Sequence, residues 1–483
     1  MKLAPIAFAA LACAFAAGCR TTKDVLDDCE RNFSAGNYSG STAELVDMAD
    51  KRDGTQLLWR LLAANTLHLT DSCEDDAIRQ FDLAEAVLQK NDQMSVFAQG
   101  GEGALAMMTN DRAFSYDGGG LDRIFTCVYR GIDFLCLGNS DNARVEFNRA
   151  AQYQRNWLYD RRRDIAAAEK KMASDAAAYM KQKNVKNVNV GKSVNVAMSD
   201  TSFGTKIRSK TGFDPATSGR LDTLPQSAYV NAYAAHLAGV FRWLNGDNAL
   251  DDLKLAAAVK PHDALLSRDF AECDKGMRPS NQVWIWVEDG LCPKREEWRL
   301  DLPLVFIPYA NRYVQYAGMA LPYLCERACG ASSWSVMTGG RTSHMQELES
   351  VDRLMRAEYD VYMRGALVRE ITRTVVRVGV QVGLGIAIDN TKDDRTKTAL
   401  RITQYGVAVW SAANTAADLR SWTGLPKRVM AMRVDRPADG RVVISGDGMP
   451  VAEIQVPKGN TLVFVRKTSS AAPAVVKTVT FPN

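Results

Sequence analysis

Three times in the first 260 residues a small, a large and a small residue recur at spacing i, i+4, i+7. The sets are Ala77, Phe81 and Ala84; Ala143, Phe147 and Ala150; and Ala249, Leu253 and Ala256. Such spacing lies on one face of an α-helix. The alanines let a preceding antiparallel helix approach closely, and the larger residue fills the gap between them. Each set follows a turn-like stretch, "TDSCEDD", "LGNSDN" and "NGDN" respectively, and Pro261 stands twelve residues after Ala249. One helix pair cannot bury its apolar face alone, so several stacked pairs are expected.

The pattern resembles tetratricopeptide repeats, which place small, large and small residues on their second helix and a proline at its end. The copies here start 66 and 106 residues apart, not at the repeat's own period, which excludes an uninterrupted array. Helical hairpins are therefore expected over 19–180 and again over 223–275. Between them, Lys181–Gly219 is polar, basic and rich in Asn, Ser and Thr, and 181–222 is expected to be a flexible polar insert. Its Gly191-Lys192-Ser193 is not a phosphate-binding loop. Lys186 occupies the position where that motif needs its first glycine, and no buried apolar strand precedes it.

After about residue 275 the pattern changes. Val283, Ile285 and Val287 alternate with Trp284 and Trp286, giving a strand apolar on both faces. Glu288-Asp289-Gly290 signals a turn, and Glu296–Leu302 predicts a second strand, so 276–342 is expected to hold a β-hairpin and loops. Helices are expected from Ser343 to Ile388 and from Thr396 to Leu419, a pair within 343–426. Ser343 with Gln346 reads as a capping box. Glycines 379, 383 and 385 and alanines 408, 412, 413, 416 and 417 suit close helix contact. Over 427–483 short apolar runs alternate with turn segments. They predict a small antiparallel β-domain with strands Val429–Val434, Arg441–Ile444, Ala452–Val456, Thr461–Lys467 and Val475–Thr480. The fold class expected is α+β.

The first residues are read as a secretory signal over 1–18. Lys2 precedes a run of small apolar residues too short to span a bilayer, and the run ends Ala16-Ala17-Gly18-Cys19. This boundary resembles a bacterial lipobox, which implies acylation of Cys19. Acyl chains contribute about 0.8 kcal/mol per buried methylene, so two or three hold a globular body on a membrane. Arg20, where aspartate commonly retains a lipoprotein in the inner membrane, points to the outer one. Setting aside Cys13 and Cys19 leaves eight cysteines, an even number that favours disulfides in an exported chain. The expected pairs are Cys29 with Cys73 and Cys273 with Cys292. Cys325 and Cys329 do not make a zinc site, because none of the four histidines has ligand spacing to a cysteine pair.

A net charge of +4 on 483 residues gives no argument for nucleic acid. The longest apolar stretch after the signal, Val375–Ile388, is shorter than a membrane span and carries Arg377. Two segments are candidates for chemistry. Asn110, Asp111, Arg112 and Tyr116 precede a glycine triplet and form a candidate recognition loop within 109–120. Glu288, Asp289, Glu296 and Glu297 form an acidic cluster over 288–297, but they flank a turn and point to both faces of a strand, whereas paired catalytic carboxylates converge. His68 and His236 lie within helical runs and are expected as satisfied packing residues. No catalytic residue, metal or cofactor is expected.

Four stretches carry a wider resemblance: "MMTNDRAFSYDGGGLDRIF" (Met107–Phe125), "YRGIDFLCLGNSDNARVEFNRAAQYQ" (Tyr129–Gln154), "VWIWVEDGLCPKREEWRLDLPL" (Val283–Leu304) and "ADLRSWTGLPKRVMAMRV" (Ala417–Val434). In this order they resemble a family of bacterial tetratricopeptide-like lipoproteins of uncharacterised activity, often encoded beside penicillin-binding-protein activator lipoproteins. The resemblance implies a lipid-anchored location in the cell envelope and this architecture, not an activity. The lipid anchor, the stacked helical pairs and the terminal β-domain lead to the expectation of a scaffold that binds other envelope proteins. The alternative is a periplasmic enzyme or ligand-binding protein using the 109–120 loop or the 288–297 cluster.

Overall fold

A computed structural model describes residues 21–93, 110–113, 115–215 and 229–481. The fold is α+β, with helices first and sheets after them. The helices of the first half are α1 (Thr22–Ala35), α2 (Thr42–Asp50), α3 (Gln56–His68), α4 (Glu74–Gln93), α5 (Gly120–Cys136), α6 (Ser140–Gln182), α7 (Val190–Ser199), α8 (Thr201–Thr211), α9 (Ala232–Asn245), α10 (Leu250–Val259) and α11 (Ala264–Asp274). Helix α1 opens with a capping box between Thr21 and Asp24 and stops at Gly36, whose φ of 74° is left-handed.

Helices α3 and α4, α5 and α6, and α9 and α10 pack as pairs. The small–large–small sets lie on the second helix of each pair and are buried. In two pairs the large residue sits over a glycine of the first helix. A Cβ on Gly131 would lie 2.7 Å from the Phe147 ring, and one on Gly239 would lie 2.7 Å from Leu253. The backbones approach too closely there for any side chain.

The expected flexible insert is largely helical. Helix α6 runs to Gln182, and α7 and α8 follow; 216–222 lie outside the described residues. The Asn and Asp content that reads as loop supplies N-caps instead. Asn189 accepts from the Lys192 amide, and Asp200 from the Phe203 amide.

The strands are β1 (Gln282–Asp289), β2 (Lys294–Asp301), β3 (Gly318–Cys325), β4 (Trp334–Thr338), β5 (Arg341–His344), β6 (Gln346–Ser350), β7 (Arg428–Asp435), β8 (Arg441–Gly446), β9 (Met449–Gln455), β10 (Asn460–Lys467) and β11 (Val475–Phe481). They form sheets ordered β11-β10-β1-β7-β6, β5-β4-β8-β9 and β2-β3. The expected hairpin of β1 with β2 does not form. Both edges of β1 are occupied, by β10 in parallel and by β7 antiparallel, and β2 pairs with β3. The Gly290 amide still bonds the Lys467 carbonyl at the end of β10, and the chain then leaves the sheet, the Cys292 amide bonding the Leu425 carbonyl. The double-sided apolarity of β1 is that of a central strand. Trp284 and Trp286 enter the helical core, while Val283, Ile285 and Val287 face Trp334, Val336 and Ile444 under the second sheet.

The C-terminal strands fall where the sequence places them, but they do not form a separate domain. Strand β1 is inserted between β10 and β7, and β8 continues onto β4. The expected helix start at Ser343 is also displaced. Ser343 lies in β5, reached through a turn at Gly339 and Gly340 with φ of 55° and 78°, and β6 follows. Ser350 is the true cap, accepting from the Arg353 amide. The helical pair is then a four-residue helix, α12 (Ala310–Tyr313), aside, α13 (Val351–Asn390) with α14 (Asp394–Ala413). Its glycines do not face α14. Gly379 and Gly383 admit Met180 and Val185 from the end of α6 and beyond it, and Gly385 admits the Tyr313 ring. Helix α13 is long and apolar enough to cross a membrane, yet 72% of its most apolar window is buried in the protein.

Candidate functional site

Asp111 sits where the segment entering α5 crosses α13. Its carboxylate accepts from Arg373 Nη1 at 2.7 Å and from Arg369 Nη2 at 2.8 Å. Burial alone would raise its pKa, but the two guanidiniums outweigh that effect and hold the carboxyl well below the usual carboxylate range. Arg373 is only 1% exposed and also bonds Glu370 at 2.7 Å. Burial raises the pKa of Glu370. Arg369, Arg373 and Arg377 follow one another at i, i+4, i+8 along a largely buried stretch of α13. That spacing, on one face of a helix, is the signal in the sequence that marks this cluster.

The rest of the candidate loop is tied down in the same way. Asn110 Nδ2 donates to the Asn414 carbonyl at 3.0 Å, and Arg112 Nε donates to the Ala417 carbonyl at 3.0 Å. The Tyr116 hydroxyl donates to Asp122 at 2.5 Å, and its amide to the Gly54 carbonyl. Burial, then the charge of Asp122, pushes the Tyr116 phenol well up. Arg420 completes the clasp. It pairs with Asp418 at 2.8 Å and donates to the carbonyls of Gly54 and Asp111. Asn110, Asp111, Arg112 and Tyr116 thus link four parts of the chain. Arg112 is the member whose side chain is substantially exposed, at 48%.

The acidic cluster is dispersed. Glu288 accepts from the hydroxyls of Tyr129 and Tyr233 at 3.0 and 3.1 Å in the helical core. Asp289 accepts from the Gly330 amide at 2.7 Å and from Arg428 at 2.9 Å. Glu296 accepts from Tyr323, and Glu297 from Arg299 and the Ala417 amide. No two of these carboxylates share a proton site. Each instead holds two elements together.

His68 and His236 are satisfied in the core, while His262 and His344 are exposed. His68 Nδ1 lies 2.7 Å from Asp133, which also receives Lys477 at 3.0 Å. His236 Nε2 lies 2.9 Å from Asp269, and that carboxylate also accepts from Trp284 Nε1 and Arg433. Burial opposes the charge of Asp269, but His236 and Arg433 prevail and lower its pKa. Among the described residues no three His, Cys, Asp or Glu side chains group to hold a metal.

The expected disulfides are absent: Cys29, Cys73, Cys273 and Cys292 are free thiols. Cys273 ends a helix whose Asp269 bonds Trp284 at the start of β1, and Cys292 lies beyond the other end of that strand, on the order of 25 Å away along it. Cys29 is buried in α1 beside Arg327, while Cys73 opens α4, whose Glu74 bonds Lys477. Burial pushes the thiols of Cys29 and Cys292 up to about 12 and about 11. Cys19 lies outside the described residues.

None of the family models, curated proteins or solved structures compared with the chain matches it.

Proposed function

We propose that the chain is an envelope lipoprotein, anchored through lipid on Cys19 at the periplasmic face of the outer membrane. There it serves as a protein-binding scaffold in envelope or peptidoglycan assembly. The anchor rests on Lys2, the short apolar run and the Gly18-Cys19 boundary. The helical hairpins, taken as tetratricopeptide-like, supply the binding surface. One observation carries the scaffold reading: the polar groups singled out for chemistry are engaged in ties between distant elements. Asp111 alone joins the segment before α5 to Arg369 and Arg373 of α13, more than 250 residues on. Such ties suit a rigid platform, which supports the scaffold reading.

Two measurements test this. The mass of the mature N-terminal peptide is expected to be that of an acylated Cys19, and Cys19→Ser is expected to release the protein from membranes washed with high salt. Capture from envelope extracts is expected to enrich a defined partner. Recovery of abundant outer-membrane proteins alone counts against the scaffold.

A further inference from the structure

We propose that the end of the molecule built around the C-terminal half of α13 docks, without any acyl chain, on the surface of an anionic phospholipid bilayer. Two apolar segments meet there. On α14, Gln404, Ala408 and Ser411 turn inward, and the opposite face presents Ile402, Tyr405 and Val409. Beside it runs the 304–313 segment with Val305 and Tyr309. These five large side chains are between 60% and 78% exposed, which is unusual for a protein that has ample core in which to bury them. The segments are joined directly, since Gln404 Nε2 donates to the Tyr313 carbonyl at 3.0 Å. Tyr405, Tyr309 and the half-exposed Trp410 are the amphipathic side chains that favour a membrane–water boundary.

Charge decides between a lipid surface and another occupant. From Arg395 to Ala417 the chain has no carboxylate, and Arg395 and Arg401 lie on the outward side of α14, with the exposed Asp394 at its first turn. Asp393 is engaged as the cap of α14, and Asp389 is held by Arg312 and Tyr313. Across α13, Val185 packs on Gly383, and Phe203 of α8 stacks edge-on against Phe306 at 5.7 Å. This brings the α6–α8 region to the same end of the molecule. Between Lys181 and Asp214 it carries seven exposed cations against two carboxylates. Asp200 is an N-cap, and Asp214 pairs with Arg208 at 3.3 Å. Lys210 lies over the Tyr323 ring, and Lys181, Lys186, Lys192 and Lys206 face outward. The chain's net charge is only +4, so its positive charge is concentrated here. Apolar and aromatic side chains beside an excess of exposed cations match a bilayer whose headgroups are negative. Two copies of this face would bring like charges together.

The contact is separate from acylation, so it is tested on the full chain carrying Cys19→Ser. Flotation with phosphatidylcholine vesicles and with vesicles half phosphatidylglycerol is the probe. Binding is expected to be at least ~10-fold stronger to the anionic vesicles and to be largely lost near ~0.5 M salt. K183E/K186E/K192E and, separately, I402S/V409S are each expected to weaken it ~10-fold or more. All five positions are exposed, and unchanged thermal unfolding verifies that each variant folds. Equal binding to both vesicle types, no binding, or binding indifferent to either variant overturns the proposal. So does a dimer in sedimentation that I402S/V409S dissociates while flotation is unchanged, for then a second copy covers the face. Failure of the anchor reading is seen separately, in the N-terminal peptide of the wild-type chain.

Discussion

Asp111 concentrates in one side chain the way this protein uses charge. A carboxylate buried between Arg369 and Arg373 is costly to desolvate, and removing it leaves two guanidiniums without their counter-ion. Asp111→Asn is therefore expected to lose ~3–5 kcal/mol in urea unfolding at pH 7. The pH dependence follows from the depressed pKa. The stabilisation is complete above the unfolded-state value of about 3.9 and is lost as pH falls through it towards the folded value. The gap between wild type and Asp111→Asn should thus narrow below about pH 4. A gap constant from pH 7 to pH 3 would show that the pair is not formed. The cysteines give a second check. Cys29 and Cys292 are buried thiols raised by burial, so both are expected to resist maleimide in the native protein and to react after denaturation without reductant. Failure to react after denaturation would restore the disulfides that the even cysteine count suggests.

At the scale of elements, what was legible in the sequence was local. The small–large–small spacing located the second helix of three pairs, and turn residues located the last five strands to within a few positions, because both signals reside in neighbouring residues. The glycine partners of Phe147 and Leu253 sit on a different helix and carry no local mark. A double substitution tests that packing. Gly239→Val is expected to cost ~1–3 kcal/mol by overpacking, and Leu253→Ala in the same chain to recover part of it. Strictly additive losses would mean the two do not touch. The helices within 181–222 escape the local pattern for a related reason. Asn189 and Asp200 favour loops and N-caps alike, and only the buried Val190, Ala197 and Phe203 reveal that they begin helices.

On the scale of the whole molecule, the sequence could not reveal how the pieces are joined. Strand β1 pairs with β10 almost 180 residues later, and Asp111 meets arginines more than 250 residues on; no local pattern encodes either partner. The same ties join the candidate loop and the acidic cluster to distant elements. The exposed apolar face of α14 was equally hidden, since its spacing resembles that of a core helix. The central claim is that this rigid body works by holding another envelope protein. Its most direct test is crosslinking of the Cys19-bearing protein in living cells, with photoreactive residues on the exposed faces of the helical hairpins, followed by identification of what is captured. The account predicts one defined envelope protein, crosslinked from neighbouring positions on one surface and lost when Cys19→Ser removes the anchor. Crosslinks spread evenly over the surface, to abundant proteins alone, would contradict it.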